Sequence, residues 1–113
     1  MTEQMTRAER AMQIWQILIT AAHDRRTLTY GRVAALLGFK GAGVISQFLN
    51  PIMGYCEAKD LPPLTVLVVN QDTGLPGEGL TTLQEVNQDR EKVFNHDWFG
   101  MYPVQIPDLQ PFA

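Results

Sequence analysis

The chain has 113 residues, 45% of them hydrophobic, and its single cysteine, Cys56, excludes an intramolecular disulfide and a cysteine-rich metal cluster. The length accommodates one domain, residues 1–113, and no apolar run approaches the ~20 residues that span a bilayer, so we expect a soluble, cytoplasmic protein without a membrane partner. The net charge of −3 argues against a nucleic-acid partner, but residues 1–50 carry six basic and three acidic side chains, whereas residues 51–113 carry three basic and nine acidic ones.

The first half of the chain predicts three helices. Thr6 and Glu9 have capping-box spacing before an apolar stripe, which predicts a helix over about residues 7–22. Thr29 is positioned to cap a second, short helix over residues 30–37, which Gly38 ends. A third helix is expected to begin near Ala42, with its apolar residues facing inward. These apolar residues are Val44, Ile45, Phe48 and Leu49.

Pro51 predicts either a kink in the third helix or a restart with Asn50 as the cap, because proline lacks the backbone N–H that a helix interior needs. The apolar stripe continues past it through Cys56, which we expect to be a core residue rather than a nucleophile. The β-branched segment 65–70 then predicts a strand that enters a glycine-rich turn. We expect a fourth helix after Thr82.

The last segment, DWFGMYPVQIPDLQPFA, is rich in proline and aromatic residues. It is too apolar to be a disordered tail, so we expect Trp98, Phe99 and Tyr102 to strap it against the body of the protein.

The exposed side of the third helix is the most informative feature. Its expected non-core positions are Gly43, Ser46, Gln47 and Asn50, spaced i, i+3, i+4 and i+7. Amide and hydroxyl groups bond to base edges and phosphates, and small residues let a backbone approach a groove closely. The alternative is an ordinary solvated helix face, but such faces usually carry Lys and Glu.

The segments TYGRVAALLG, GAGVISQFL and LPPLTVLVVNQDTG resemble the DNA-binding winged helix-turn-helix domain of O6-alkylguanine DNA alkyltransferases and alkyltransferase-like proteins, over about residues 10–80. The resemblance implies that Tyr30 helps to rotate a nucleotide out of the stack. It also implies that the third helix enters the minor groove through Ala42, Gly43 and Ser46, and that the loop 74–79 is the glycine-rich loop of the family.

Two departures limit what the resemblance implies. The Pro-Cys-His-Arg core of the alkyltransferases is replaced here by Leu64, Thr65, Val66 and Leu67. Without an adjacent base, a threonine hydroxyl is not an alkyl acceptor, so alkyl transfer is not expected. Alkyltransferase-like proteins keep an arginine finger where this chain has Gly43, which also puts base flipping in doubt.

These features predict a mainly α fold with a small β-hairpin: a winged helix-turn-helix-like core over residues 7–80, followed by a C-terminal helix and aromatic tail over residues 81–113. We expect a non-enzymatic DNA-binding protein, with no metal and no cofactor, that binds double-stranded DNA with modest, salt-dependent affinity. The expected DNA-binding residues are Tyr30, Arg32, Lys40, Gly43, Ser46, Gln47, Asn50, Arg25 and Arg26. The alternative is a protein-interaction module, such as a regulator, immunity or anti-defence factor, whose acidic second half holds a basic partner.

Overall fold

Helix α1, Arg7–His23, packs against much of the rest of the fold in this computed structural model, which describes residues 4–76 and 83–113. The helix begins as predicted: the Thr6 hydroxyl accepts a hydrogen bond from the Glu9 backbone amide at 3.1 Å, and the Glu9 carboxylate accepts one from the Thr6 amide at 2.7 Å. This capping box satisfies two amides that the start of a helix would otherwise leave unpaired. The buried face of α1 consists of Ala8, Ala11, Ile14, Trp15, Leu18, Ala21 and Ala22.

Four more helices, two strands of two residues each and four 3-10 turns follow α1 within the described residues. In chain order they are β1 (Leu28–Thr29), α2 (Tyr30–Leu36), a turn at Ala42–Val44, α3 (Ser46–Ala58), a turn at Leu64–Leu67, β2 (Val68–Val69), α4 (Leu83–Asn95), a turn at Trp98–Gly100, α5 (Ile106–Leu109) and a turn at Gln110–Phe112. The fold is therefore mainly helical, as expected.

Helices α1, α2 and α3 all end in the same motif. A residue in the left-handed conformation follows each helix: Arg25 with φ 56°, Gly38 with φ 83° and Asp60 with φ 56°. The next amide then reaches back to a carbonyl of the last turn, as in Phe39 N–H to Ala34 O at 2.9 Å. This pattern is a Schellman motif, which pairs the last carbonyls of a helix. The end of the second helix at Gly38 is thus confirmed.

Helix α3 starts later than predicted and does not restart at Pro51. Residues Ala42–Val44 form a 3-10 turn, and one α-helix then runs from Ser46 to Ala58 with Pro51 inside it. Asn50 is therefore not a helix cap. Because proline has no N–H, the carbonyl of Gln47 lacks its usual helical donor.

The expected β-hairpin is wrong, because the sheet is a parallel pair. Strand β1 pairs with β2 in the register Leu28 to Val68 and Thr29 to Val69. Parallel strands need a crossover connection, which α2 and α3 supply here. The expected strand 65–70 is shortened to Val68–Val69, since the preceding residues Leu64–Leu67 form a 3-10 turn. The glycine-rich loop 74–79 is described only as far as Pro76.

Helix α4 and the C-terminal segment pack on the core formed by α1 and α3. The expected fourth helix is present, with Val86 and Val93 fully buried; its expected cap, Thr82, lies outside the described residues. Trp98 is also buried, and its indole N–H donates to the Val93 carbonyl at 2.7 Å. Tyr102 does not strap the tail, because 89% of its surface is exposed. Phe99 is 58% exposed and holds the tail only through an edge contact with His23 of α1.

The described helices contain no stretch that is both long and apolar enough to cross a lipid bilayer.

Candidate nucleic-acid interface

The stripe predicted on the third helix is exposed in the structure. Gly43, in the turn before α3, and Ser46, Gln47 and Asn50, in α3 itself, face solvent, while Ile45, Phe48, Leu49 and Ile52 are buried. Val44 was expected to face inward but is 38% exposed, because it belongs to the turn and not to the helix. The space next to Gly43 is open, since a Cβ atom built there meets nothing within 4 Å. The stripe therefore combines a small residue at its start with one hydroxyl and two amide side chains further along.

The only charged residues in the sequence around this stripe are basic. Residues 25–56 include Arg25, Arg26, Arg32 and Lys40 and no Asp or Glu. All four cations are exposed. An approaching phosphate backbone thus meets no acidic side chain from this segment, although four cations provide only a weak electrostatic attraction.

Helix α2 presents one of these cations and the tyrosine. The Thr29 hydroxyl caps the helix by accepting a hydrogen bond from the Arg32 amide at 3.0 Å, and Arg32 is exposed in the first turn. Tyr30 opens the helix but is half-buried, because its ring packs against the core. Only part of the Tyr30 side chain is therefore available to a partner.

The connection between α2 and α3 is held by aromatic packing. The Phe39 ring stacks on Phe48 with centroids 5.7 Å apart, and the Arg10 guanidinium lies 4.7 Å from the Phe39 centroid. Arg10 also donates to the Leu37 carbonyl at 3.3 Å. The connection spans residues 37–45, longer than the short turn of a standard helix-turn-helix. The Arg10 guanidinium therefore stabilises this connection and is not part of the candidate surface.

Arg25 is bound to the acidic half of the chain. Its guanidinium donates to both oxygens of the Glu91 carboxylate, at 2.7 and 2.9 Å, and lies 4.9 Å from the centroid of Phe94. Sequence reasoning missed this pair because the two residues are 66 positions apart and no local pattern joins them. Arg26, the next residue, is exposed.

The positions of the alkyltransferase active-site core form a turn that is mostly buried. Leu64, Val66 and Leu67 are in the core, and the half-buried Thr65 lines a pocket of about 330 Å³ that Cys56 also lines. Only 2% of the Cys56 surface is exposed, and burial raises the pKa of its thiol to about 11. The thiol is therefore protonated near neutral pH, which agrees with the core role predicted for this residue.

Each histidine lies beside one polar or sulfur-containing side chain. His23 Nδ1 lies 3.3 Å from Asp24 Oδ1 on the surface, and His96 Nε2 lies 3.2 Å from the Met101 sulfur. Across residues 4–76 and 83–113, no three His, Cys, Asp or Glu side chains come together in a way that would hold a metal ion.

The candidate surface thus offers hydroxyl, amide, guanidinium and ammonium donors, which are the groups that contact phosphates and base edges. Its candidate residues come from four parts of the chain. Arg25 and Arg26 follow α1, Tyr30 and Arg32 lie in α2, Lys40 lies in the connection after α2, and the stripe spans the turn Ala42–Val44 and the start of α3. Comparison of the chain with models of protein families, with curated proteins and with solved structures finds no match.

Proposed function

We propose that this protein is a non-enzymatic DNA-binding protein of the cytoplasm, with a winged helix-turn-helix of alkyltransferase-like ancestry. The observation that carries the proposal is the exposed, uncharged stripe of Gly43, Ser46, Gln47 and Asn50, set within a 32-residue segment, 25–56, that has no acidic side chain. An ordinary solvated helix face carries acids and bases together. A face with small residues and amides beside isolated cations suits the surface of a duplex.

The side chains divide into two roles. Ser46, Gln47 and Asn50 meet base edges or sugars in a groove, with Gly43 allowing close approach of the backbone. Arg26, Arg32 and Lys40 meet phosphates, and Arg25 joins them when its exposed ion pair with Glu91 opens. Tyr30 contributes the exposed part of its ring at the start of α2. With so few cations, binding is modest and falls steeply as salt rises.

Fluorescence anisotropy of a labelled duplex of about 20 base pairs, at about 50 mM salt and again at higher salt, tests the proposal. We expect binding at micromolar protein that Lys40→Glu weakens by about tenfold and Gln47→Glu weakens similarly, since each adds a negative charge to the surface. Lys92→Glu is the matched control: it makes the same charge reversal at an exposed position of α4 and leaves most of the affinity in place. No binding at micromolar protein, or an equal loss with Lys92→Glu, contradicts the proposal.

The alternative is a protein-interaction module that holds a basic partner on its acidic second half. The observation that favours it is the Arg25–Glu91 pair, because both oxygens of a carboxylate on α4 already accept hydrogen bonds from an arginine. A pull-down distinguishes the two functions. A partner that remains bound after charge reversal at Arg25, Arg26 and Lys40, but is lost after Glu91→Lys, supports the interaction module.

A further inference from the structure

A groove separates α1 from the segment that follows α4. Its volume is about 290 Å³, at the lower end of the range for small-molecule sites. Helix α1 contributes Met12, Trp15, Gln16, Ile19 and Thr20, whose spacing puts them on one face of the helix. The segment Trp98–Val104 forms the opposite wall. This groove lies outside the surface proposed for DNA.

The floor of the groove is made of two rings held in place. Trp15 and Trp98 meet edge to face, with centroids 5.7 Å apart and planes at 86°. The Trp98 indole is fixed by its hydrogen bond to the Val93 carbonyl, and both tryptophans are almost completely buried. The floor is therefore formed before any ligand arrives, so little ordering of side chains opposes binding.

The rim of the groove carries aromatic surface that the fold leaves in water. Phe99 is 58% exposed and Tyr102 is 89% exposed. The Phe99 ring is positioned by an edge contact with His23, with centroids 5.9 Å apart. Aromatic rings at the edge of an apolar groove gain stability when another ring covers them.

The absence of charged side chains from the groove restricts the chemistry of its ligand. None of the described residues that line it carries a formal charge. An ionic ligand would lose its hydration without gaining an opposite charge, which is costly. The polar side chains that line it are all neutral: Gln16, Thr20, the phenol of Tyr102 and the indoles of the two tryptophans. Two of their groups are already used, since the Thr20 hydroxyl donates to the Gln16 carbonyl at 3.0 Å and the Trp98 indole to the Val93 carbonyl. The complementary partner is a neutral compound.

We propose that this groove binds an uncharged small molecule built on one or two fused aromatic rings. The size of the groove, its aromatic floor and rim and its lack of charge all match this class of ligand. The proposal is independent of DNA binding, since none of the residues proposed to contact DNA lines the groove.

A set of three naphthalene probes tests the charge and the ring requirement together. 2-Naphthalenemethanol is neutral, 2-naphthoate is an anion and 2-naphthylmethylammonium is a cation, and all three share one ring system. The chain has two tryptophans, both in the groove, so the two indole N–H resonances of the ¹⁵N-labelled protein report on this site directly. We expect both resonances to shift with the neutral probe, with a Kd at least about tenfold below that of either charged probe.

A variant pair checks that the shifts come from the groove. Phe99→Ala combined with Tyr102→Ala removes exposed rings, and we expect it to raise the Kd of the neutral probe at least about fivefold. The amide resonances of residues far from the groove should stay unchanged, which shows that the fold is kept. Leu36→Ala, at another exposed apolar residue, is the matched control and leaves the Kd unchanged. The proposal is overturned if neither indole resonance shifts, if a charged probe binds as tightly, or if the double variant binds no more weakly than the control.

Discussion

The Arg25 guanidinium donates from Nη2 to both oxygens of the Glu91 carboxylate, at 2.7 and 2.9 Å, and so joins the end of α1 to α4. Asn95 adds a weaker contact, because its side-chain oxygen accepts from Arg25 Nη1 at 3.4 Å. Both members of the ion pair are about half exposed, with side-chain exposures of 51% and 58%. The pair therefore contributes little to stability, about 0–1 kcal/mol, but it withholds one cation from the proposed DNA surface.

Glu91→Gln is expected to release Arg25 and strengthen DNA binding. One additional phosphate contact makes the slope of log K against log salt steeper by about 0.9. Anisotropy titrations at several salt concentrations measure this slope. In an Arg25→Gln background the same Glu91→Gln substitution should have no effect on the slope; an equal gain there would show that the change is a general charge effect.

Gly54→Ala is expected to destabilise the protein. A Cβ at position 54 would lie 2.7 Å from Phe112 Cδ1 and 2.9 Å from its Cβ, so the C-terminal turn must shift. At an unobstructed helical site the same change would stabilise by about 1 kcal/mol. The test is a double-mutant cycle. Urea unfolding gives the free energy of unfolding of Gly54→Ala, Phe112→Ala and the double variant. We expect Gly54→Ala to cost less when Phe112 is alanine, because the contact with the ring is then lost while the close contact with the Cβ of residue 112 remains. An additive cycle would contradict the contact.

Cys56 is expected to make stability depend on alkaline pH. Burial raises the pKa of the folded thiol to about 11, against the ordinary value of 9.0, partly offset by a hydrogen bond with the Leu64 backbone. Above pH 9 the unfolded chain loses this proton while the folded chain keeps it. The contribution of the protonated thiol to the free energy of unfolding is therefore complete below pH 9. It is lost as the pH rises towards 11, at up to about 1.4 kcal/mol per pH unit.

Urea unfolding at pH 8 to 11 measures this effect as the difference in the free energy of unfolding between the wild type and Cys56→Ala. The contributions of the other titrating groups cancel in this difference. The difference should shrink with rising pH. A difference that stays constant over this range would mean that the thiol titrates alike in both states.

Asp60→Gly is expected to stabilise the protein by about 1 kcal/mol. Asp60 has φ 56° at the end of α3, a conformation that glycine adopts without the steric cost paid by a side chain. Ala58→Gly, two residues earlier at the last residue of α3, is the matched comparison and should destabilise the protein, because glycine there gives up helix propensity and relieves no left-handed conformation. Thermal or urea unfolding gives both values, and loss of stability in both variants would contradict the role assigned to Asp60.

Local patterns predicted much of the helical framework correctly. The capping box at Thr6 and Glu9, the end of α2 at Gly38 and the exposed face of α3 at Ser46, Gln47 and Asn50 are each determined within a few residues of sequence. Side-chain caps, a left-handed glycine and helical periodicity act over one or two turns, so they can be read without knowledge of the rest of the fold. The core position of Cys56 follows from the same periodicity.

The sequence by itself thus determined where the main helices lie and that the start of α3 turns an uncharged face to solvent. Tertiary structure alone decided that β1 pairs in parallel with β2, that Glu91 holds Arg25, and that Trp98 is buried while Phe99 and Tyr102 remain exposed. The strand pairing and the ion pair each join segments that are distant in sequence, and the burial of Trp98 depends on which aromatic ring fits against Trp15. Close packing of the whole chain decides these contacts, because a dense core accepts few arrangements of its side chains.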